Sequence, residues 1–389
     1  MGSTTVNELA YVLITPYSLL KNRTGGIIAR ILSNNDLELC AVRMFAPSDA
    51  MVDEYVEAIN RDPNSEHNQS LFVGYADQNL RRDNPSGISN RCILMLFQGD
   101  NAANIIKRAV GYVTHKSKGD SVRITYGDYI THGEEVVYFE PAVLCAPDEG
   151  SVKRHLRVFK RFALTDGGVV THSLAAAMKE KNGQTTLVMV KPDNFRRKST
   201  RPGNIIDMFS KTGLFIVGAS LMRFSVAQAE EFYKPLKRTF EVKLEGRVRK
   251  QLEHLFDEHL PYPVYEDDLS AIARRLRKNN AVYQFNRIIE YITGLRPELL
   301  SREEYAKPGH ERCLCLLYYG VNAVSKIRDT LGATDPQAAE GGTVRSEFGR
   351  DVLKNGVHAS DSVKNAMRER KVVGLLGGES CELEEIIPY

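Results

Sequence analysis

Residues 187–192 read LVMVKP and residues 11–16 read YVLITP, two short apolar runs that each stop at a proline. The likeness continues downstream of both. GNIIDMFSKTGLFIVGASLMRFS (203–225) echoes GGIIARILSNNDLELCAVRMFA (25–46), YYGVNAVSKI (318–327) echoes FQGDNAANII (97–106), and GGTVRSEF (341–348) echoes GDSVRITYGDY (119–129). Segments that recur in the same order mark an internal repeat, and this repeat decides the architecture. The offset is 178 residues between Ile28 and Ile206 but 221 between Gly99 and Gly320, so the second copy carries a net 43 extra residues between its halves.

Each copy reads strand, helix, strand, helices, strand, helix, strand, helix. In the first, Tyr11 to Ile14 is a strand ended by Pro16, Gly25-Gly26 opens an apolar-periodic turn over 27–32, and 39–45 alternates as a strand. Ser48 or Asp49 then caps a helix through Ile59, and the polar stretch 61–90 predicts mostly loop. CILMLFQG (92–99) is a buried strand, NAANIIKRAVGYV (101–113) a helix, VVYFEPAVLC (136–145) a further strand and GSVKRHLRVFKRFAL (150–164) an amphipathic helix. The fold class expected is α+β: two tandem ferredoxin-like βαββαβ domains, over 1–180 and 181–389, with helices on one face of each sheet.

The extra residues fall at about 237–280. Val248, Leu252 and Leu255 give one helical face, Pro261 and Pro263 break it, and Leu269, Ile272 and Leu276 give a second, so the insertion reads as a pair of helices. Its basic run Arg274, Arg275, Arg277, Lys278 reads as a solvated face rather than a phosphate contact. Across 389 residues Lys+Arg number 52 against Asp+Glu 49, a net charge of +3, so no whole-chain field points to nucleic acid or a membrane surface. The six cysteines, at 40, 92, 145, 313, 315 and 381, lack CxxC spacing and suit a reducing cytoplasm. No apolar run is long enough to span a membrane, and the start MGSTTV fits neither a signal peptide nor an acylation signal.

There is no GxxxxGK[ST] and no GxGxxG, so phosphate binding has to come from side chains. Lys191, Arg328, Thr334 and Arg345 are the candidates, since arginine forks can neutralise charge spread over a transferring phosphoryl group. His358, in NGVHASDS (355–362), is the side chain here able to be neutral and nucleophilic at pH 7, and the SDS after it starts a helix whose free amides favour an anion.

These residues together resemble the nucleoside diphosphate kinases. The family's lysine matches Lys191 in VKPD, its tyrosine matches Tyr233 in EEFYKPL, and GVNAVSKIRDTLGATDP with GGTVR brings over Arg328, Thr334 and Arg345. NGVHASDS brings over Asn355, His358, Ser360 and Asp361, and Glu369 falls where the family's glutamate orients the histidine. The resemblance implies a nucleotide-binding phosphotransferase acting on nucleoside tri- and diphosphates in two steps, with a phosphohistidine on His358. Arg328, Thr334 and Arg345 would hold phosphates, Lys191 and Asn355 the ribose hydroxyls and nearby phosphate, Ser360 and Glu369 the imidazole, and Asp361 a Mg2+ ion through water. Two positions depart from the family pattern: Gly341 stands where the family has proline, and the insertion falls where it supplies a base-stacking aromatic, a place Phe285 could take.

The first copy reads as a decayed version. Thr15 replaces the lysine, Leu144 or Cys145 stands at the histidine, Lys107 replaces Arg328, and Arg123 alone still matches a phosphate-binding arginine. This copy is expected to pack against the second as one subunit of the family packs against another, giving an internal pseudo-dimer or a homo-oligomer. The competing reading is a nucleotide-sensing or scaffolding protein in which the insertion and first copy hold a partner.

Overall fold

The computed structural model describes residues 8–63, 69–112, 120–174, 182–243, 245–376 and 382–389; the start of the chain, part of the expected 61–90 loop, and Cys381 lie outside them. Two units are separable: Met1–Met222 with Leu314–Tyr389, and Arg223–Cys313.

The first unit is built on one sheet. Its elements in the first half are β1 (Glu8–Ile14), α1 (Pro16–Leu20), α2 (Thr24–Asn34), β2 (Glu38–Phe45), α3 (Asp49–Asn60), α4 (Gln69–Asn79), β3 (Cys92–Gly99), α5 (Ala102–Val110), α6 (Val122–Tyr126), β4 (Asp128–His132), β5 (Glu135–Glu140), β6 (Val143–Leu144) and α7 (Glu149–Arg161). The second half supplies β7 (Gly183–Val190), α8 (Arg201–Ser210) and β8 (Phe215–Met222). Between these and the rest come the helices of the second unit, α9 (Val226–Lys243), α10 (Glu245–His259) and α11 (Glu266–Thr293). The chain then returns through β9 (Cys313–Val321), α12 (Ala323–Leu331), α13 (Val344–Phe348), β10 (Val357–Ala359), α14 (Val363–Val372) and α15 (Glu382–Ile386).

Eight strands run in the order β10-β7-β9-β8-β2-β3-β1-β6, so each half has its fourth, first, third and second strands side by side. β2 and β8 join the halves, with Arg43 opposite Ser220. On the same seam α2 crosses α8 so closely that only glycine fits. A Cβ on Gly25 would lie 2.6 Å from the carbonyl oxygen of Gly203, and one on Gly203 would overlap the backbone of Gly25 and Ala29. Because side chains alternate along a strand, β1 sends Ala10, Val12 and Ile14 into one core with Ile27, Ile31 and Ile106, and Leu9, Tyr11 and Leu13 into another with Val52, Leu156 and Phe159.

Helices therefore cover both faces of the first half, not one. The reason is the apolar face of α7 and α3, which needs burial on the side opposite α2 and α5. Within 61–90 the structure has the helix α4, whose buried Phe72, Tyr75 and Ala76 sit at three- and four-residue spacing in a helix with polar residues at both ends. The expected strand 136–145 is divided: β5 pairs with β4 as a separate hairpin, and only Val143 and Leu144 join the main sheet. Ser48 caps α3 with its hydroxyl.

The second unit is helical. α10 and α11 correspond to the expected pair, broken at 261–263, but α11 runs unbroken for 28 residues to Thr293, past the expected end of the insertion.

Candidate active site

β10 is only three residues long, and its register against β7 sets His358 opposite Met189. The chain enters it through Gly356 at φ +79°, a conformation that favours glycine, and this turns the Gly356 carbonyl toward the amide of Lys191 at 2.9 Å and Nδ2 of the buried Asn194 at 2.8 Å. After Ser360 the Ser362 hydroxyl accepts from the amide of Asn365 at 3.2 Å and starts α14. Two turns on, that helix carries Glu369 beneath the imidazole, with Oε2 3.0 Å from His358 Nε2 and accepting from the Ser360 hydroxyl at 2.7 Å.

Burial, the largest single influence on Glu369, favours its neutral form. The imidazole, the Ser360 hydroxyl and Arg368, 3.3 Å from Oε1, outweigh it and hold the carboxyl below its usual range. Glu369 is therefore ionised at neutral pH and accepts from a protonated Nε2, which leaves the lone pair of a neutral His358 on Nδ1. The imidazole is 22% exposed while the carboxylate beneath it is 5% exposed, so the ring has one anchored edge and one toward solvent.

Near this pair Lys191 and Arg345 donate to carbonyl oxygens. The Lys191 ammonium, 8% exposed, donates to Asn355 Oδ1 at 2.7 Å and to the Leu353 carbonyl at 3.1 Å, and Asn355 Nδ2 donates to the Thr334 carbonyl at 3.0 Å. Arg345, also buried, donates through Nη1 to the Gly332 carbonyl at 3.0 Å and reaches the Thr334 hydroxyl and the Val357 carbonyl at 3.5 Å. Its Nε is buried with no hydrogen-bond partner, and burial together with the charge of Arg328 pushes its pKa down to about 10. Two neighbouring guanidinium groups, the buried one with no carboxylate partner among the described residues, form a site poised for an anion.

Asp361 stands at the exposed rim. Hydrogen bonds from Asn365 Nδ2 at 2.6 Å and from Ser362, with the charge of Arg328, hold its carboxyl below the usual range. Among the described residues no group of three or more His, Cys, Asp or Glu side chains could enclose a metal ion. No helix among them is long and apolar enough to cross a membrane.

Lys191, Asn355, Thr334 and Arg345 are thus joined by hydrogen bonds, with the charge of Arg328 acting on Arg345 and Asp361, and Arg345 reaches the Val357 carbonyl next to the hydrogen-bonded group of His358, Ser360 and Glu369. Tyr233 lies in the helical unit on α9, buried and edge-on to Phe232 at 5.0 Å between ring centroids. Phe285 is not free to stack on a base: it is 3% exposed on α11, with the Lys237 ammonium 5.7 Å from its ring centre. Sequence reasoning missed Arg368 and Asn194, both adjacent in the chain to recognised motifs but with no pattern of their own.

The corresponding place in the first half carries different residues. Ile14 pairs with Val143 as Val190 pairs with Val357, which sets Leu144, not Cys145, at the position of His358. Counting on from there, His155 stands at the position of Glu369; its Nδ1 is 2.7 Å from the Tyr11 hydroxyl and its Nε2 3.2 Å from Asp62. Thr15, at the position of Lys191, donates to the buried carboxylate of Glu140 at 2.9 Å, which also accepts from Tyr75 at 2.7 Å. Arg123 keeps the geometry of Arg345, donating to the Gly111 carbonyl at 2.9 Å, but its guanidinium is covered by the ring of Phe72, 4.4 Å away.

The profile of the nucleoside diphosphate kinase family matches residues 184–244 and 307–373. A nucleoside diphosphate kinase of Methanoregula boonei is 30% identical over 184 residues, 47% of this chain and 82% of that protein. One from Symbiobacterium thermophilum is 30% identical over 186 residues, 48% of this chain and 83% of that protein. A crystal structure of the enzyme from Encephalitozoon cuniculi aligns with 52% of this chain and 99% of its own, at 22% identity and a TM-score of 0.31. The chain belongs to the nucleoside diphosphate kinase family, through the part that carries His358.

Proposed function

We propose that this protein is a nucleoside diphosphate kinase that moves the γ-phosphoryl group of a nucleoside triphosphate to a nucleoside diphosphate through a phosphohistidine on His358. One observation carries the reading: an imidazole anchored through Nε2 at 3.0 Å from an ionised, buried Glu369, beside a buried Arg345 that has no carboxylate partner among the described residues.

In the first step Nδ1 of His358 attacks the γ-phosphorus. The N–P bond forms as the bond to the β–γ bridging oxygen breaks, and that electron pair leaves with the diphosphate. The imidazole becomes cationic, and Glu369 is already positioned to stabilise the charge. In the second step a terminal oxygen of the acceptor diphosphate attacks the phosphorus and the N–P pair returns to the ring. Arg345, Arg328 and Thr334 hold phosphate oxygens, while Lys191 and Asn355 hold ribose hydroxyls and nearby phosphate. Tyr233 enters this set on its motif alone.

A magnesium ion carried in on the phosphates would neutralise their charge, and Asp361 suits it through water: a single ionised, exposed carboxylate is what such an ion asks of a protein when phosphates supply the remaining oxygens. We read the architecture as two tandem family domains, over 1–180 and 181–389, the second interrupted at about 237–280. The first acts as a fused pseudo-subunit, a role favoured by the glycine crossing of α2 and α8. The sparse cysteines, without CxxC spacing, suit a cytoplasmic protein.

The test is a two-stage transfer. The protein is mixed with γ-labelled ATP, isolated, and given unlabelled GDP or CDP. Acid-labile label on the protein that is absent from His358→Ala and moves to the added diphosphate supports the kinase. Bound nucleotide without label transfer would favour a nucleotide sensor.

A further inference from the structure

The seam between the halves is not fully packed. Between the α1–α2 segment and the α8–β8 segment lies a cavity of about 220 Å³, walled by Leu19, Ile206, Leu214, Phe215 and Ile216. An apolar cavity of about 150 Å³ already holds a benzene molecule. The space here is larger, and it is not purely apolar.

Two polar groups line it, a buried cation without a carboxylate partner and a hydroxyl without a hydrogen-bond partner. Arg91 is 5% exposed; its Nε donates to the Ser89 hydroxyl at 3.0 Å, Nη1 donates to the Ile216 carbonyl, and the guanidinium lies 5.5 Å from the ring centre of Phe215. No carboxylate pairs with it among the described residues. Burial alone pushes its pKa down to about 10, so it stays a cation at neutral pH with no counter-charge. Tyr318, 2% exposed, has a hydroxyl with no hydrogen-bond partner. A buried cation and an orphaned donor on one cavity are together what a small anion would satisfy.

We propose that this cavity binds a small organic oxyanion: an apolar body about the size of a benzene ring with one carboxylate or phosphate head, the head pairing with Arg91 and accepting from the Tyr318 hydroxyl. Leu20, Asn22 and Gly213 are exposed and line the same cavity, so they form its mouth. Asn22 Nδ2 reaches across it to the Ser210 carbonyl at 3.4 Å, linking the two halves. A ligand there would touch both halves. None of these residues belongs to the cluster around His358, so the inference stands apart from the kinase reading.

The test uses the full chain and three probes at millimolar concentration: sodium benzoate, phenyl phosphate and the neutral benzyl alcohol, followed by calorimetry and by the thermal midpoint. Benzoate or phenyl phosphate is expected to bind and raise the midpoint, with benzyl alcohol roughly tenfold weaker or more. Arg91→Met should lose the benzoate response, Tyr318→Phe should weaken it severalfold, and His358→Ala should leave it unchanged. Equal binding of benzyl alcohol, no binding of either aromatic anion, or loss of benzoate binding in His358→Ala would each overturn the proposal. If Arg91→Met does not fold, Tyr318→Phe decides, since it removes a single oxygen; an unchanged benzoate affinity there would also overturn it.

Discussion

Gly25 on α2 and Gly203 on α8 touch backbone to backbone, and they are the same position of the two halves: each opens its copy of the glycine-isoleucine segment. The contact lies on the local symmetry of the unit and leaves no room for a methyl group. Gly203→Ala is expected to force the helices apart and lower stability by about 1–3 kcal/mol, the usual range for overpacking. A shift of the urea midpoint checks this. An unshifted midpoint would mean that the crossing is looser than described.

Glu369 is expected to matter through charge more than through shape. Glu369→Gln keeps a hydrogen-bond acceptor near His358 but cannot stabilise a cationic ring, so kcat should fall by about 10²-fold with KM little changed. Ser360→Ala, which removes one of two hydrogen bonds on the same oxygen, should cost less. Steady-state kinetics with ATP and a diphosphate separate the two.

Arg345 is held by carbonyls and repelled by Arg328, so its position serves binding more than folding. Arg345→Met should reduce phosphoryl transfer by about 10²-fold or more while changing stability by no more than about 1 kcal/mol. Parallel activity and denaturation curves distinguish this from a structural arginine, whose loss would lower both.

The C-terminal helix α15 carries a pH dependence of opposite sign to that of Glu369. Glu382 accepts from the Ser220 hydroxyl at 3.0 Å, and burial pushes its pKa up to about 7 from an ordinary 4.5. A raised carboxyl pKa means that the folded state holds its proton more tightly, so its contribution is complete below pH 4.5 and lost as pH rises through 7. Glu382→Gln should match the parent at pH 4 and exceed it at pH 8, by on the order of 3 kcal/mol. For Glu369, whose pKa is lowered, stability is instead present above the ordinary carboxylate range and lost as pH falls below it. Denaturation midpoints across that range for Glu369→Gln, which should be flatter than those of the parent, check the second sign.

The first half is expected to stay silent even if its histidine position is restored. Leu144→His returns the imidazole, but Thr15 and Glu140 leave a carboxylate where the second half has an ammonium, and Phe72 covers Arg123. In a His358→Ala background, labelling from γ-labelled ATP should remain absent after Leu144→His. Label appearing on that variant would show that the rebuilt pocket still admits phosphate.

The chain's own pattern made some of this legible. Apolar runs of β1, β3, β7 and β9 and the hydroxyl cap of α3 are local signals, and they appear where local chemistry puts them. The cluster around His358 was readable because its members lie within short, recognisable strings. What stayed hidden depends on contacts between distant segments. α4 hides because its buried residues are outnumbered by polar ones, and the two-faced covering of the sheet is a property of packing, not of any one helix. Phe285 looked available because a sequence does not state which way a helix turns. Arg91 carried no signal at all, since an arginine beside a strand is ordinary until its lack of a counter-ion is seen.

The pairing of β2 with β8 has a consequence for how such a molecule can change. Two separate copies joined edge to edge would come apart on dilution, and every substitution at their contact would occur twice. Here both strands belong to one chain, so the join holds at any protein concentration, and Gly25, Gly203, Arg43 and Ser220 can each vary alone. One side of the seam is thereby free to differ from the other.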